Sequence, residues 1–250
     1  MKTNTEYKNA ALAALKGNWA KAVLASVVYI AIMFVAIGPY MFYTAKMQAY
    51  RMENMPTAPG SLSSALGSAM ALLQDPEYMA LSQKASGWNA VYWLMFVFVM
   101  LPMMLGFANA FLRLLTGGEN DILGNTYKIA TKNYWHKMWG MFLMHIFIFL
   151  WSLLFIIPGI IKMFSYAMTP YILEENPELS ANEAIDRSRA MMKGHKFDLF
   201  WLWLSFIGWF ILSLLTLGIG GLWLGPYRQT AYAAFYEDVK ADYEQNGGLN

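Results

Sequence analysis

One stretch of this chain limits its possible folds more than any other. Residues 22–43 read AVLASVVYIAIMFVAIGPYMFY and contain no charged side chain. A helix needs about 20 mostly apolar residues to cross the hydrocarbon core of a bilayer. The run is longer than the apolar core of a secretory signal, and no small-residue cleavage site follows it. We therefore predict a retained transmembrane helix at 22–43.

The composition of the whole chain indicates the same class of protein. Hydrophobic residues make up 58% of the sequence and charged residues only 14%, which is too apolar for an ordinary soluble domain. Many of the aromatic residues lie at the ends of apolar runs, where their rings favour the membrane interface. The Lys and Arg residues are scattered and form no basic stripe, so nucleic acid is not expected as a partner. We predict an all-α, polytopic membrane helix bundle.

Further apolar runs resemble the first. They predict spans at 90–112, 138–157 and 199–217 and a weaker one at 221–236, which contains Pro226, Arg228 and Gln229. Within the second span, Pro102 and Gly106 are expected to be kink points, because neighbouring helices can satisfy the freed carbonyls.

The topology depends on residues 159–175, which are apolar but short and contain Lys162 and Pro170. If they do not cross, the chain has only the four strong spans, 22–43, 90–112, 138–157 and 199–217. The basic residues from Arg187 to Lys196 then lie outside, against the positive-inside tendency. If the segment crosses back after a turn at Pro158 and Gly159, the chain has six spans and both termini lie inside. We predict six spans, with cytoplasmic termini.

The predicted outer loop, 44–89, has only Lys46, Arg51 and Lys84 as basic residues. Within it a Pro- and Ser-rich turn precedes a run with apolar residues at helical spacing, Leu62, Leu66, Met70 and Leu73. A short helix on the outer face is the expected structure.

A short tag recurs where amphipathic segments meet apolar runs: LKGNWAK at 15–21, MKGHKFD at 192–198 and, more loosely, TKNYWHKM at 131–138. Amphipathic cytoplasmic helices are predicted before the tags, at 4–16, 121–132 and 180–193. The first and third begin with capping boxes, Thr3 with Glu6 and Ser180 with Glu183. Gly17 and Gly194 are expected in the left-handed conformation that ends helices. Each tag is thus a predicted elbow between an interfacial helix and a span.

The alternative is that the elbows bind anionic lipid phosphates. The candidate contacts are the lysines Lys16, Lys21, Lys132, Lys137, Lys193 and Lys196. Each cluster has fewer basic residues than the 4 to 8 typical of a strong headgroup site, so the structural role is favoured.

Arg228 predicts an intramembrane polar site, because an ionisable residue within a span is by default a functional hypothesis. Its possible polar partners are Gln229, Tyr232, His145 and Ser205. A side chain that snorkels to the interface is the competing interpretation. Gly221 and Gly225 form a small-xxx-small face, which predicts close helix packing within the bundle or in a homodimer.

Nothing in the sequence points to catalysis. An acidic run consists of Glu174, Glu175, Glu178, Glu183 and Asp186, but no nucleophile or phosphate-cradling glycine loop accompanies it, so we expect solvated acids near helix starts. The chain has no cysteine, and its three histidines lack metal-site spacing. We predict no metal, no cofactor and no enzymatic activity.

The second half of the chain carries a specific set of motifs: NPELS, EAI followed by RS, MKG, LSFIGW, LTLGIG, PY and FYED. In these motifs the chain resembles the bacterial membrane-protein family known as domain of unknown function 975. The resemblance implies a multi-span protein with no established biochemical activity, and it places MTPYIL in the membrane-embedded body. A looser likeness runs to the membrane domain attached to some glycerophosphodiester phosphodiesterases.

These observations predict a non-catalytic membrane protein that organises the membrane or binds lipids or a partner. The expected partners are membrane lipids, a second copy of the chain or another membrane protein. The alternative is a small transporter or channel with a polar site near Arg228.

Overall fold

The computed structural model describes residues 1–55 and 60–247, and over these residues it contains helices and no strand. This confirms the predicted all-α fold class. The chain divides into two compact units: unit 1 comprises Met1–Tyr29 and Met100–Asn250, and unit 2 comprises Ile30–Val99. Residues 56–59 of the predicted Pro- and Ser-rich turn lie outside the described part.

The helices follow one another closely along the chain. Their bounds are α1 Asn4–Leu15, α2 Trp19–Asn54, α3 Leu62–Gln74, α4 Pro76–Met95, α5 Leu101–Gly117, α6 Ile122–Thr131, α7 Tyr134–Leu154, α8 Ile156–Ser165, α9 Thr169–Glu175, α10 Ala181–Met191, α11 Lys196–Leu204, α12 Ile207–Leu215 and α13 Gly221–Gln245. The three predicted amphipathic helices correspond to α1, α6 and α10. Both predicted capping boxes are present, at Thr3 and at Ser180.

Five segments of the described chain are long and apolar enough to cross a membrane: Trp19–Asn54, Pro76–Gly117, Tyr134–Leu154, Ile156–Glu175 and Lys196–Leu215. Five of the six predicted spans overlap them, although the spans predicted at 138–157 and 199–217 continue past Leu154 and Leu215, where the segments end. The sixth, 221–236, is helical as part of α13 but is not among the five. One face of α13 is buried against α1 and α5, so this helix belongs largely to the protein core.

The long segment Pro76–Gly117 is irregular just before Pro102, where Phe96–Met100 form a π-helical turn between α4 and α5. Proline lacks the N–H that would continue the regular bonding pattern, which explains the irregularity. Gly106 has a different role from the predicted kink. A Cβ at Gly106 would clash with the carbonyl oxygen of Thr126, so glycine is needed for the close approach of α6.

The turn between α7 and α8 is not at Pro158 and Gly159 as predicted. Phe155 has an extended backbone and separates the two helices, whereas Pro158 lies in the first turn of α8. Proline is tolerated there because first-turn N–H groups have no partner within the helix. Gly159 packs on α7, since a Cβ there would clash with the Ser152 hydroxyl oxygen. The helices α7 and α8 therefore form a tight hairpin.

The chain repeats one arrangement three times, and we call each copy a module. A module consists of an amphipathic helix, an elbow, an outgoing helix and a return helix: α1, α2 and α5 in module 1, α6, α7 and α8–α9 in module 2, and α10, α11–α12 and α13 in module 3. The elbows are elbow 1 (16–21), elbow 2 (132–137) and elbow 3 (193–198). The predicted repeat of the tags is thus a repeat of local structure.

The elbows share one backbone conformation at the same position of the tag. Gly17 and Gly194 have φ values of 80° and 95°, as predicted, and Asn133 occupies the aligned position of elbow 2 with a φ of 52°. Asparagine is one of the few side chains that tolerate this left-handed region. The looser sequence of the second tag therefore preserves the same turn.

The modules pack in a closed order within unit 1. The return helix α5 packs on α6, α9 packs on α10, and α13 packs on α1, so the last module contacts the first. Each amphipathic helix buries one apolar face, which includes Tyr7 and Leu15 on α1, Ile122 and Ile129 on α6 and Ile185 on α10. The helices α5, α9 and α13 also contact one another, by the side-chain bonds described below.

The ends of the hairpins opposite the elbows expose large apolar side chains. In module 2 these residues surround Phe155 and Ile156, and in module 3 they surround Leu217, which is 94% exposed. Apolar patches this extensive are rare on soluble monomers. Their exposure agrees with insertion into lipid.

Unit 2 contains most of α2 together with α3 and α4. Asp75 caps α4 at the backbone N–H groups of Glu77 and Tyr78, and it accepts a hydrogen bond of 2.9 Å from the Tyr50 hydroxyl. The predicted helix around Leu66 is α3. Its four predicted apolar residues are all exposed, whereas Leu72 is buried.

Replacing Gly106 tests the α5–α6 contact. In Gly106→Ala the new Cβ meets a backbone oxygen, so we expect a loss of about 1–3 kcal/mol of stability, as for other overpacked sites. The measurement is the thermal unfolding midpoint in a mild detergent. Gly38→Ala is the matched control, because Gly38 is also helical and a Cβ added there would have nothing within 4 Å. We expect this control to be neutral or slightly stabilising, and equal midpoints for both variants would contradict the assigned contact.

Candidate functional site

Each elbow is bonded to the C-terminal end of the return helix in its own module. In module 1, Lys21 Nζ donates to Asn120 Oδ1 at 2.8 Å, just beyond the end of α5. In module 2, Lys137 pairs with Glu174 of α9. In module 3, His195 Nε2 lies 3.1 Å from Asp242 Oδ2 of α13. We call these three pairs the clasps, and those of modules 2 and 3 each close one helical hairpin.

The clasp of module 2 is the most buried. Lys137 is only 1% exposed, and its ammonium also donates to the carbonyl oxygen of Ile129 at 2.7 Å. Glu174 accepts a second cation, because Arg113 Nη2 of α5 donates to its other carboxylate oxygen at 2.9 Å. Glu174, whose side chain is 13% exposed, thus lies between two cations, and without it the buried ammonium of Lys137 would lose its ion-pair partner, which is costly.

The neighbouring Glu175 connects α9 to α13. Its Oε2 atom accepts hydrogen bonds from the Tyr236 hydroxyl at 2.6 Å and from Lys240 Nζ at 2.7 Å. The Tyr236 ring stacks on Tyr171 with centroids 4.6 Å apart. Together with the Arg113–Glu174 pair, these bonds join the C-terminal ends of α5, α9 and α13. We call this part of unit 1, with its three elbows, the elbow end.

These contacts correct the prediction that the acidic run is solvated. Glu174 and Glu175 are structural ion-pair partners, and only the other acids of the run follow the expected pattern. Glu183 caps α10 as predicted. Arg187, one turn further along α10, donates from Nη1 to Asn176 Oδ1 at 3.0 Å.

The irregular backbone between α8 and α9 is held by neighbouring helices. Ser188 of α10 donates to the carbonyl oxygen of Ser165 at 3.0 Å and accepts a bond from the N–H of Met168 at 3.2 Å. Asn109 of α5 donates to the carbonyl oxygen of Pro170 at 2.9 Å. Broken helices are tolerated at membrane depth where protein groups satisfy the freed backbone.

The N-terminus is tied to α13 through Asp238. Its carboxylate accepts hydrogen bonds from the Tyr7 hydroxyl and from the N–H of Lys2. Burial acts to raise the pKa of Asp238, but these two hydrogen bonds outweigh it and hold the pKa below its usual value. The carboxylate therefore stays ionised at neutral pH and keeps α1 on α13.

The six lysines predicted to contact lipid do not share one environment. Lys16, Lys132 and Lys193 are exposed at the elbow end, and Lys196 is half-buried. Lys21 is exposed but engaged by Asn120. The prediction of a lipid contact is wrong for Lys137, because this lysine is buried against Glu174 and has no access to a lipid headgroup.

The residues predicted to form a polar site are divided among several contacts. Arg228 is exposed and lies 5.9 Å from the Tyr232 ring centroid, while Gln229 Nε2 donates to the Tyr171 hydroxyl at 3.0 Å. His145 Nδ1 lies 2.7 Å from the carbonyl oxygen of Met141, and the Ser205 hydroxyl donates to that of Leu202 at 2.6 Å. His145 and Ser205 thus bond within their own helical segments.

The glycine pair on α13 packs inside unit 1. Gly221 faces Ser213 at the end of α12, and Gly225 faces Ser26 of α2. Among the described residues the closest glycine contacts are elsewhere, at Gly106, Gly124, Gly140 and Gly159.

Sequence reasoning missed Arg113, Asn109 and Ser188 as part of this site. A signal for the first two was present, because Asn109 and Arg113 are polar residues at i,i+4 spacing near the end of an apolar run and so share one helix face. Ser188 was visible as a hydroxyl on the apolar line of α10. Only the fold shows which backbone atoms it bonds.

A protein-family model described as "Protein of unknown function (DUF975)" matches residues 153–243. This confirms the resemblance over that part of the chain, which includes α8 to α12 and most of α13. The matched region contains Glu174, Glu175 and both members of the module 3 clasp. No curated protein and no solved structure matches the chain.

Removing the Glu174 charge tests the central ion pair. Glu174→Gln leaves the buried Lys137 without its carboxylate, so we expect a loss of about 3–5 kcal/mol of stability. The measurement is thermal unfolding in detergent. The double variant Glu174→Gln with Lys137→Met is expected to recover part of this loss, because the unpaired ammonium is gone.

Asp186→Asn is the matched control. Asp186 pairs with Arg189 at 3.1 Å, but both side chains are more than half exposed, and such surface pairs contribute about 0–1 kcal/mol. Equal effects of Glu174→Gln and Asp186→Asn would contradict a central role for the buried pair.

Proposed function

We propose that this protein is a non-catalytic integral membrane protein of the bacterial inner membrane that binds and organises anionic lipid around its cytoplasmic elbow end. The observation that carries the proposal is the set of clasps, which gathers three elbows at one end of unit 1. Each elbow carries an exposed lysine, Lys16, Lys132 or Lys193, and we propose that these lysines act together. Three separate weak sites become one basic surface.

The chemistry of the elbows supports lipid as the partner. Trp135 is 69% exposed beside Lys132, and tryptophan next to lysine is typical of the headgroup region. Each basic residue near an anionic leaflet contributes about 1 kcal/mol of attraction. The amphipathic helices are suited to the same depth, because their apolar faces pack on the bundle and their polar faces remain outside.

The absence of catalysis is part of the proposal. Its support is that the two glutamates and the histidine of the elbow end have structural partners. Glu174 and Glu175 each bind cations from neighbouring helices, and His195 lies between Asp198 and Asp242.

The proposed orientation is tested by labelling single cysteines. The chain contains no cysteine, so Lys16→Cys, Lys132→Cys and Lys193→Cys give signals without background. In intact spheroplasts we expect a membrane-impermeant maleimide to leave all three unlabelled until the membrane is opened. Ser63→Cys in α3 is the control and should be labelled at once. Labelling of any elbow cysteine from outside would refute the six-span orientation.

Lipid binding is tested by measuring which lipids surround the protein. The chain is extracted in polymer-bounded discs from mixed phosphatidylglycerol and phosphatidylcholine bilayers, and the enrichment of phosphatidylglycerol is determined. We expect the variant Lys16→Gln, Lys132→Gln, Lys193→Gln to lose most of the enrichment, because 1 kcal/mol per lysine corresponds to about a fivefold change in local binding.

The matched control removes three cations from the predicted outer side, Lys46→Gln, Arg51→Gln and Lys84→Gln, and is expected to keep the enrichment. Equal enrichment in all three proteins would contradict the proposal. The transporter alternative makes a separate claim, since it requires Arg228→Ala to abolish a solute flux in proteoliposomes while the protein remains folded.

A further inference from the structure

An open apolar groove lies between α8 and elbow 3. Its volume is about 340 Å³, at the lower end of the range typical of ligand clefts. Phe164 and Phe200 form part of its wall, with ring centroids 5.9 Å apart and an edge-to-face geometry. The side chains that line it from the two helices are Ile160, Ile161, Phe164, Lys196, Phe197 and Phe200.

Cations surround the groove on the side of elbow 3. Lys196 lines it directly, and Lys162, on the same helix as Ile161, has its ammonium 4.5 Å from the Trp151 ring centroid. Arg189 and Lys196 are close enough to Lys162 to repel it electrostatically, and Asp186 offsets part of this repulsion. Arg189 is paired with Asp186 at 3.1 Å, and Asp198 is a second carboxylate in the first turn of α11, so the three cations exceed the two carboxylates by one positive charge.

The position of the groove determines what can occupy it. Both helices that line it belong to segments apolar enough to lie in a membrane, Ile156–Glu175 and Lys196–Leu215. Ile160, Ile161 and Phe197 are exposed, so the groove opens toward the surroundings of the bundle. Inside a bilayer these surroundings are acyl chains. The adjacent elbow lies where the amphipathic helix meets the span, which is the depth of phosphate groups.

We propose that this groove is a specific site for one anionic phospholipid, with an acyl chain between α8 and α11 and the phosphate held by Lys162 and Lys196. The combination of an apolar cleft with adjoining cations matches a molecule that is apolar at one end and anionic at the other. The N-terminus of α11 adds to the attraction, because helix N-termini favour anions. Asp198 in the same turn lies 3.4 Å from the ring of His195.

This inference rests on the proposed function in assuming that the elbow end faces an anionic leaflet, but it differs in stoichiometry. The elbow lysines concentrate many lipids loosely, whereas the groove retains one molecule per chain. The two claims therefore fail independently, and different variants test them.

The test counts bound lipids by native mass spectrometry of the full chain in an uncharged detergent. Phosphatidylglycerol is titrated in, and we expect one molecule to remain bound per chain at collision energies that strip the others. Phosphatidylcholine supplies chains without net charge, and glycerol phosphate supplies the anion without chains. We expect each to bind at least tenfold more weakly, because each satisfies only one part of the site.

Two variants locate the retained lipid. Lys162→Gln with Lys196→Gln should weaken the single tight adduct at least tenfold, while the elbow variant Lys16→Gln, Lys132→Gln, Lys193→Gln should keep it. Ile161→Trp, which fills the groove and leaves the cations in place, should also remove it. Thermal unfolding of each variant without lipid checks that it is folded.

Three outcomes would overturn the site. They are a tight adduct that survives both groove variants, equal retention of phosphatidylcholine, or glycerol phosphate binding as tightly as the lipid, which would indicate a simple anion site. Loss of leaflet enrichment in the elbow variant with the tight adduct intact would support the groove and the proposed function together. Loss of the tight adduct in the groove variants with enrichment intact would show that the two sites are separate.

Discussion

The arrangement of unit 1 depends on the bonds around Glu174. The Glu174 carboxylate, at the end of α9, lies between Lys137 of α7 and Arg113 of α5. It therefore joins the two ends of the module 2 hairpin to each other and to α5, the return helix of module 1. Such a group is stable in a buried position only while both charge and hydrogen bonding are compensated. The segment that ends at Glu174 must therefore come back to the level at which α7 begins. The short apolar segment after Phe155 is therefore the second half of a hairpin.

The other two modules have a corresponding bond between elbow and return helix, formed by different residues. Lys21 bonds an amide beyond α5, and His195 lies against a carboxylate of α13. The chemistry of the clasps ranges from a lysine bonded to a neutral amide oxygen in module 1 to an ion pair with a buried lysine in module 2. Each clasp nevertheless joins an elbow to the end of its own return helix. The position of the clasp in the module is thus constant while its residues differ. The proposed lipid function depends on the three elbows, with their exposed lysines, acting together.

Much of the local structure could be predicted from the sequence, and the candidate site only in part. The capping boxes, the amphipathic helices and the positive φ values at Gly17 and Gly194 all depend on residues within a few positions of one another. Lys137 shows the limit of that approach, because it has the same spacing in its tag as Lys21 but a different environment. Its partner, Glu174, is distant in sequence, and no local pattern distinguishes a lysine that meets lipid from one that meets a buried acid.

The sequence by itself determined that this chain is helical and apolar enough for a membrane, where helices and elbows occur, and that the second half resembles a family of unknown function. These properties follow from composition, periodicity and capping chemistry, which act over one or two helical turns. Only the tertiary structure decided that the elbows share one end, that Glu174 and Glu175 are ion-pair partners, and that α8 and α11 leave a groove between them. These features require contacts between residues far apart in the chain, and the energies of burial and charge pairing that select them exist only once the helices have packed.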